Sequence, residues 1–142
     1  MHTTAHTRGR QQGSTLLEAL VAILIFSLGI LAIIGMQAAS ISASSEAKYR
    51  SDANLIVSGL LGRMQSGDPA TLAAAYIGSS GTGGVEYTAW LPKVQAALPG
   101  ASDFPPTVTV DGTGRVSITV FWRAPGDSSP TAHNYAVVTQ IR

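Results

Sequence analysis

The sequence predicts an α+β fold in which a long N-terminal α-helix packs against a small antiparallel β-sheet head. Three observations predict it. Twenty-seven consecutive residues, from Ala19 to Ser45, carry no ionisable group. The sequence then stays helix-compatible, turning amphipathic, until Pro69. Beyond Thr107, three segments of alternating or β-branched character are separated by Gly- and Pro-rich turns.

Composition narrows the function classes. Of 142 residues, 45% are hydrophobic and only 12% charged, so the chain has the apolar content to fold rather than stay disordered. Nine Lys+Arg against eight Asp+Glu leave a formal charge of +1, which is no electrostatic footprint for nucleic acid. Cysteine is absent, which excludes zinc fingers, iron–sulfur clusters, thiol catalysis and disulfides.

The first element is the apolar helix. Residues Leu16 to Met36 are mainly Leu, Ile, Val, Ala and Phe. That run supplies the roughly 20 residues a helix needs to cross a bilayer at ~1.5 Å per residue. Arg8 and Arg10 precede it, with no acid among the first 13 residues, and mark its cytoplasmic end. A secretory signal is the rival reading, with a cut after Ala39. Against it, the apolar run is longer than a usual signal core, and Gln37-Ala38-Ala39-Ser40 continues as helix-compatible sequence.

Glu18 sits at the mouth of this run, in Gly13-Ser14-Thr15-Leu16-Leu17-Glu18. A carboxylate at hydrocarbon depth is costly and usually has a functional partner. Alternatively, Glu18 is interfacial, on the first helical turn, where negative charge suits the helix dipole. A cut after Gly13 would give Ser14 a free α-amino group one turn from Glu18. Axially staggered helices could then pair the amine of one subunit with the carboxylate of its neighbour. In low dielectric such a pair penalises wrong register more than it adds net stability.

These residues resemble the N-terminus of type IV pilin-like proteins, which carry a class III signal. The shared features are a short basic leader ending in Gly13, then Ser14 to Glu18, then an unbroken apolar helix. The resemblance covers roughly residues 9–64. It implies that prepilin peptidase cuts between Gly13 and Ser14 and N-methylates Ser14, and that Glu18 serves subunit assembly. It further implies an inner-membrane precursor with a periplasmic head, partnered by prepilin peptidase, other minor pilins, the major pilin and inner-membrane lipid. Mature chains of the family usually begin with Phe or Met, where this one has Ser14.

Past Met36, Tyr49, Ala53, Ile56, Leu60 and Met64 recur at steps of three and four, with Val57 and Leu61 beside them. Glu46, Lys48, Arg50, Asp52 and Arg63 are read as lying mainly elsewhere around the helix. One continuous helix from about Ser14 to Gln65, roughly 75–80 Å long, is the simplest structure. Gly67 and Asp68-Pro69 stop it. Gly29 and Gly35, in the apolar half, serve either close helix packing or local flexibility.

The expected organisation is a cleaved leader over 1–13, a transmembrane and assembly half over 14–36, an amphipathic half over 37–66, and a head over 67–142. Seventy-six residues make a small independent core, so the head is expected to need the helix stripe. Gly78 to Gly84 reads as a flexible loop. It lacks the Lys-Ser/Thr of a phosphate-binding loop. Tyr87 to Leu98 reads as a short helix, with Pro92 either near its first turn or breaking it. Thr107–Val110, Arg115–Arg123 and His133–Ile141 then form about three antiparallel strands. Val116, Ile118, Val120 and Trp122 share one face of the second, and Tyr135, Val137 and Ile141 point inward from the third.

No enzyme emerges from these residues. His2 and His6 belong to the leader, and His133 alone remains, read as structural or exposed. No acidic pair has catalytic or metal-ligand spacing. Asp103, Asp111 and Asp127 sit beside Gly or Pro, where Asp serves turns. No cofactor is implied, and Trp90 and Trp122 are assigned to the core. Three functions compete: a minor pilin, a minor pseudopilin of type II secretion, and a membrane-anchored periplasmic binding module. The last has no need of Gly13 or Glu18.

Overall fold

A computed structural model of the chain describes residues 12–127 and 129–141. Arg8, Arg10, His2 and His6 of the expected leader lie outside the described residues. The chain divides into two compact units, one ending at Ser42 and the other running from Ala43 to Arg142.

Helix α1 spans Gln12–Gln65 and contributes to both units. In the first unit it is apolar all round, and its large side chains, Leu16, Leu20, Leu24, Phe26 and Leu31 among them, are exposed on every face. Such a surface has to be covered by lipid or by other helices, since water does not tolerate it. Its polar interruptions are small: the Ser27 hydroxyl donates to the Ile23 carbonyl at 2.7 Å, which satisfies it inside the helix. A Cβ added to Gly29 or Gly35 would meet nothing within 4 Å in this chain. Any close packing through these glycines therefore involves another molecule.

In the second unit the amphipathic stripe forms one wall of the core. Ala53, Val57, Leu60 and Met64 of α1 are buried, with Tyr49, Ile56 and Leu61 packed partly against them. Burying a Val- or Leu-sized side chain contributes about 1.5–3 kcal/mol, so this stripe dominates the docking of the helix segment on the head. Gly67 closes the helix by donating its N–H to the Met64 carbonyl at 3.3 Å. A short helix α2 (Leu72–Tyr76) follows and buries Leu72 and Tyr76, one turn apart.

The chain next forms β1 (Gly78–Ser79), β2 (Thr82–Gly83), α3 (Val85–Ala97), β3 (Thr107–Val110), β4 (Arg115–Trp122) and β5 (His133–Gln140). The sheet order is β2-β1-β3-β4-β5, every neighbouring pair antiparallel. This is the α+β arrangement the sequence predicts. Along β4, Val116, Ile118, Val120 and Trp122 are buried while the intervening residues are not, and β5 alternates between half-buried and exposed residues. Tyr135 and Val137 point inward but stay half-buried, because β5 is an edge strand.

Two expectations need correction. The Gly78–Gly84 stretch is a tight hairpin rather than a flexible loop, adding two short strands to the expected three. Gly78 opposes Gly83, and both lie under the Tyr87 ring: a Cβ at Gly78 would fall 2.4 Å from Tyr87 Cγ. The glycines are there for close approach, and the same composition mimics a disordered linker. Pro92 neither starts nor breaks its helix, but lies inside α3. The ring is on the exposed side, while Tyr87, Trp90 and Val94 bury the opposite side and hold the helix despite the missing N–H.

Candidate functional site

The residues singled out by the sequence lie at the start of α1. Gly13 and Ser14 are both helical, close to the N-terminal end of α1 as described. Helix ends fray readily, and a glycine there lowers the cost of unwinding by roughly 1 kcal/mol relative to Ala. Ser14 and Glu18 are exposed and stand four residues apart, and thus one above the other on the same helix face. What surrounds Glu18 is Leu16, Leu17, Leu20 and Val21, all exposed apolar side chains. A carboxylate presented amid an uncovered apolar surface is suited to a cationic partner brought by another molecule.

Helix α1 is long and apolar enough to cross a membrane, and its apolar run from Leu16 to Met36 is exposed throughout. A helix forming the core of this chain would instead be covered by it.

The second unit contains a polar cluster that sequence reasoning missed. Trp122, 1% exposed at the end of β4, donates its indole N–H to Glu46 Oε2 of α1 at 3.3 Å. His133, paired with Trp122 across β4 and β5, stacks on the indole with ring centroids 6.0 Å apart. Its Nδ1 lies 3.5 Å from Glu46 Oε1, and its Nε2 lies 2.8 Å from Asp127 Oδ2. The Ser129 backbone N–H, followed by the His133 ring, holds the Asp127 carboxyl below its ordinary range. Glu46, half-buried, therefore lies on the head-facing side of α1 in line with the stripe, correcting its placement elsewhere on the helix. It sits seven residues, two turns, before Ala53, and that spacing was the available signal. A buried Trp needing an acceptor was the other.

The cluster ties α1 to the β4–β5 end of the sheet. Both His133 nitrogens face carboxylates, so the ring is occupied by structural contacts. Among the described residues, no group of three or more His, Asp or Glu side chains is arranged to hold a metal ion. Asp111 likewise serves a turn: its Oδ1 accepts from the Thr113 hydroxyl at 2.6 Å and from the backbone N–H groups of Thr113 and Arg115.

No curated protein and no solved structure matches the chain. Residues 8–34 match the prokaryotic N-terminal methylation motif, a stretch that contains Gly13, Ser14, Glu18 and most of the exposed apolar helix. That motif supports a type IV pilin-like or pseudopilin protein and points to a membrane-anchored structural subunit.

Proposed function

We propose that this chain is a minor pilin, a structural subunit that helps initiate or assemble a type IV pilus after processing by prepilin peptidase. The observation that carries the reading is the conjunction of Gly13-Ser14 and Glu18 with an uncovered apolar helix, inside the matched methylation motif. Cleavage falls between Gly13 and Ser14, and the new Ser14 amine is the methylation site. Before assembly the helix is held in the inner membrane with the head on the periplasmic side. On assembly, lipid is replaced by helices of the major pilin and other minor pilins, and Glu18 takes the N-terminal amine of a neighbour. The run from Leu17 to Leu31 most resembles that of the minor pilin PilV, which implies a role in fibres used for motility and adhesion.

A minor pseudopilin of type II secretion shares the same start and the same helix chemistry. The experiment that tests the proposal follows the protein into sheared surface fibres, comparing wild type with Glu18→Ala. Wild-type protein should be recovered with the fibres. The variant should insert in the membrane and accumulate there, because its helix remains apolar, yet be depleted from the fibres. Equal recovery of the two would remove the register role of Glu18. Absence of the wild-type protein from fibres, with loss of protein secretion when it is deleted, would favour the pseudopilin.

A further inference from the structure

Strand β5 ends the sheet, and the ladder shows which of its backbone groups face outward. Ile141 donates its N–H to the Gly114 carbonyl at 2.9 Å, and the β4–β5 register places these two residues opposite each other. Hydrogen-bonded and non-hydrogen-bonded pairs alternate along an antiparallel ladder. His133, Tyr135, Val137 and Thr139 therefore aim their N–H and C=O groups at β4. Asn134, Ala136, Val138 and Gln140 aim theirs away from it, and those groups have no backbone partner among the described residues. They form an open row about 20 Å long. Native sheets blunt such edges with short strands, proline, bulges or charge. The opposite edge does so, since β2 has only two residues. Strand β5 does not: it has eight residues, no proline, no bulge in its register with β4, and no charged side chain from Asn134 to Gln140.

An open row of strand N–H and C=O groups is matched by one kind of occupant, an extended backbone. The side chains of β5 specify the rest. Tyr135 and Val137 pack against the core yet stay half-buried, so an added strand continues the core only if it brings apolar side chains at alternate positions. On the other face Val138 is 53% exposed, next to Ala136 and without an ion to answer a charged neighbour, so the paired stretch is uncharged. A second copy of this chain does not fit. Antiparallel β5–β5 pairing rotates one copy about an axis normal to the sheet, which leaves the two α1 segments running in opposite directions. Chains anchored in one membrane by their N-terminal helix run the same way. Parallel pairing would set the copy's outer face, with Asn134 and Gln140, beside Tyr135 and Val137. We infer that the β5 edge is a docking site for a strand of a different protein, uncharged and apolar at alternate residues, that extends the sheet. Excluding a second copy rests on membrane anchorage by α1; the open row itself rests only on the unit from Ala43 onward.

The chain has no cysteine, so a single thiol can be placed at will. Ala136→Cys puts it on the exposed face of the edge, and Gly112→Cys in the β3–β4 turn is the control. Each full-length variant is labelled in intact cells with a short cysteine-directed photo-crosslinker, and adducts are mapped to the residue by mass spectrometry. The Ala136→Cys label should map to a segment of a different protein that is uncharged and apolar at alternate residues, and the control should not. Adding Val138→Pro deletes one outward N–H while keeping the β4–β5 bonds, and should reduce that adduct about tenfold. Val138→Lys leaves the backbone unaltered and should reduce it similarly, by setting a charge at the edge. It gives the reading if far-ultraviolet circular dichroism shows that the proline disturbs the fold. Adducts to a second copy of this chain, to lipid, or to a helical or charged segment would overturn the inference. So would labelling no greater than at Gly112, or an adduct that survives both Val138 substitutions.

Discussion

Gly78→Ala inverts the stability effect that a flexible glycine loop would show. Where a glycine's backbone is open to other residues, Ala stabilises by about 0.4–1 kcal/mol by restricting the unfolded chain. Gly78 is a strand residue outside the left-handed region, so that gain is available in principle. The structure opposes it. A Cβ there would lie 2.4, 2.5 and 2.6 Å from three atoms of the Tyr87 ring. The ring cannot swing aside, because Tyr87 is fully buried and its hydroxyl donates to the Pro106 carbonyl at 2.8 Å. Overpacking of this kind costs about 1–3 kcal/mol, which exceeds the entropic gain and leaves a net loss of roughly 1–2 kcal/mol. Gly62→Ala is the matched opposite, a helix position with nothing within 4 Å, and should gain about 1 kcal/mol. The assay is thermal unfolding of the full-length protein in detergent micelles, followed by fluorescence of the buried Trp90 and Trp122. At about 4–8 °C per kcal/mol for a unit of this size, the two variants should separate by at least about 8 °C on opposite sides of wild type. A Gly78→Ala protein as stable as wild type, or more so, would refute the packed hairpin and restore the flexible loop.

Two further outcomes follow from the polar contacts of the second unit. Glu46→Leu strands the Trp122 indole N–H without an acceptor and should lose about 1–3 kcal/mol in denaturant unfolding, whereas Glu46→Gln keeps an acceptor oxygen and should lose less. Equal stability of both variants and wild type would deny the contact. Asp111 is held below the ordinary carboxylate range by the Thr113 hydroxyl and then by backbone N–H groups, and Asp127 is held down chiefly by the Ser129 N–H. In both, the folded state binds its proton later than the unfolded state as pH falls. Their stabilisation is therefore complete above the ordinary carboxylate range and lost as pH drops from there through the lower folded values. Melting temperature measured from about pH 6 to about pH 2 should fall with this signature, and more shallowly in Asp111→Asn. A flat profile would contradict the assignment.

The elements that the sequence made legible are those with a period. The α1 stripe repeats at three and four, and β4 alternates over eight residues, so faces and core could be read directly. The hairpin at Gly78–Gly83 could not, because its signal is the absence of side chains, and only Tyr87 arriving from α3 explains that absence. Helix α2 has five residues, too few to show a period. The Glu46–Trp122 contact joins residues 76 apart in sequence, and only the folded core brings them together. The candidate site behaves differently. Gly13, Ser14 and Glu18 lie within six residues, so their juxtaposition is fixed by local helix geometry and was fully legible.

The central claim is that the bond after Gly13 is severed, turning a membrane-held precursor into a subunit whose Ser14 amine and Glu18 carboxylate can each meet a neighbour. The most direct measurement is the intact mass of the protein isolated from the cells that make it. The account predicts a chain beginning at Ser14, with the added mass of a methyl group on its amine. A chain that still begins at Met1, or one that begins at Ser40, would contradict it.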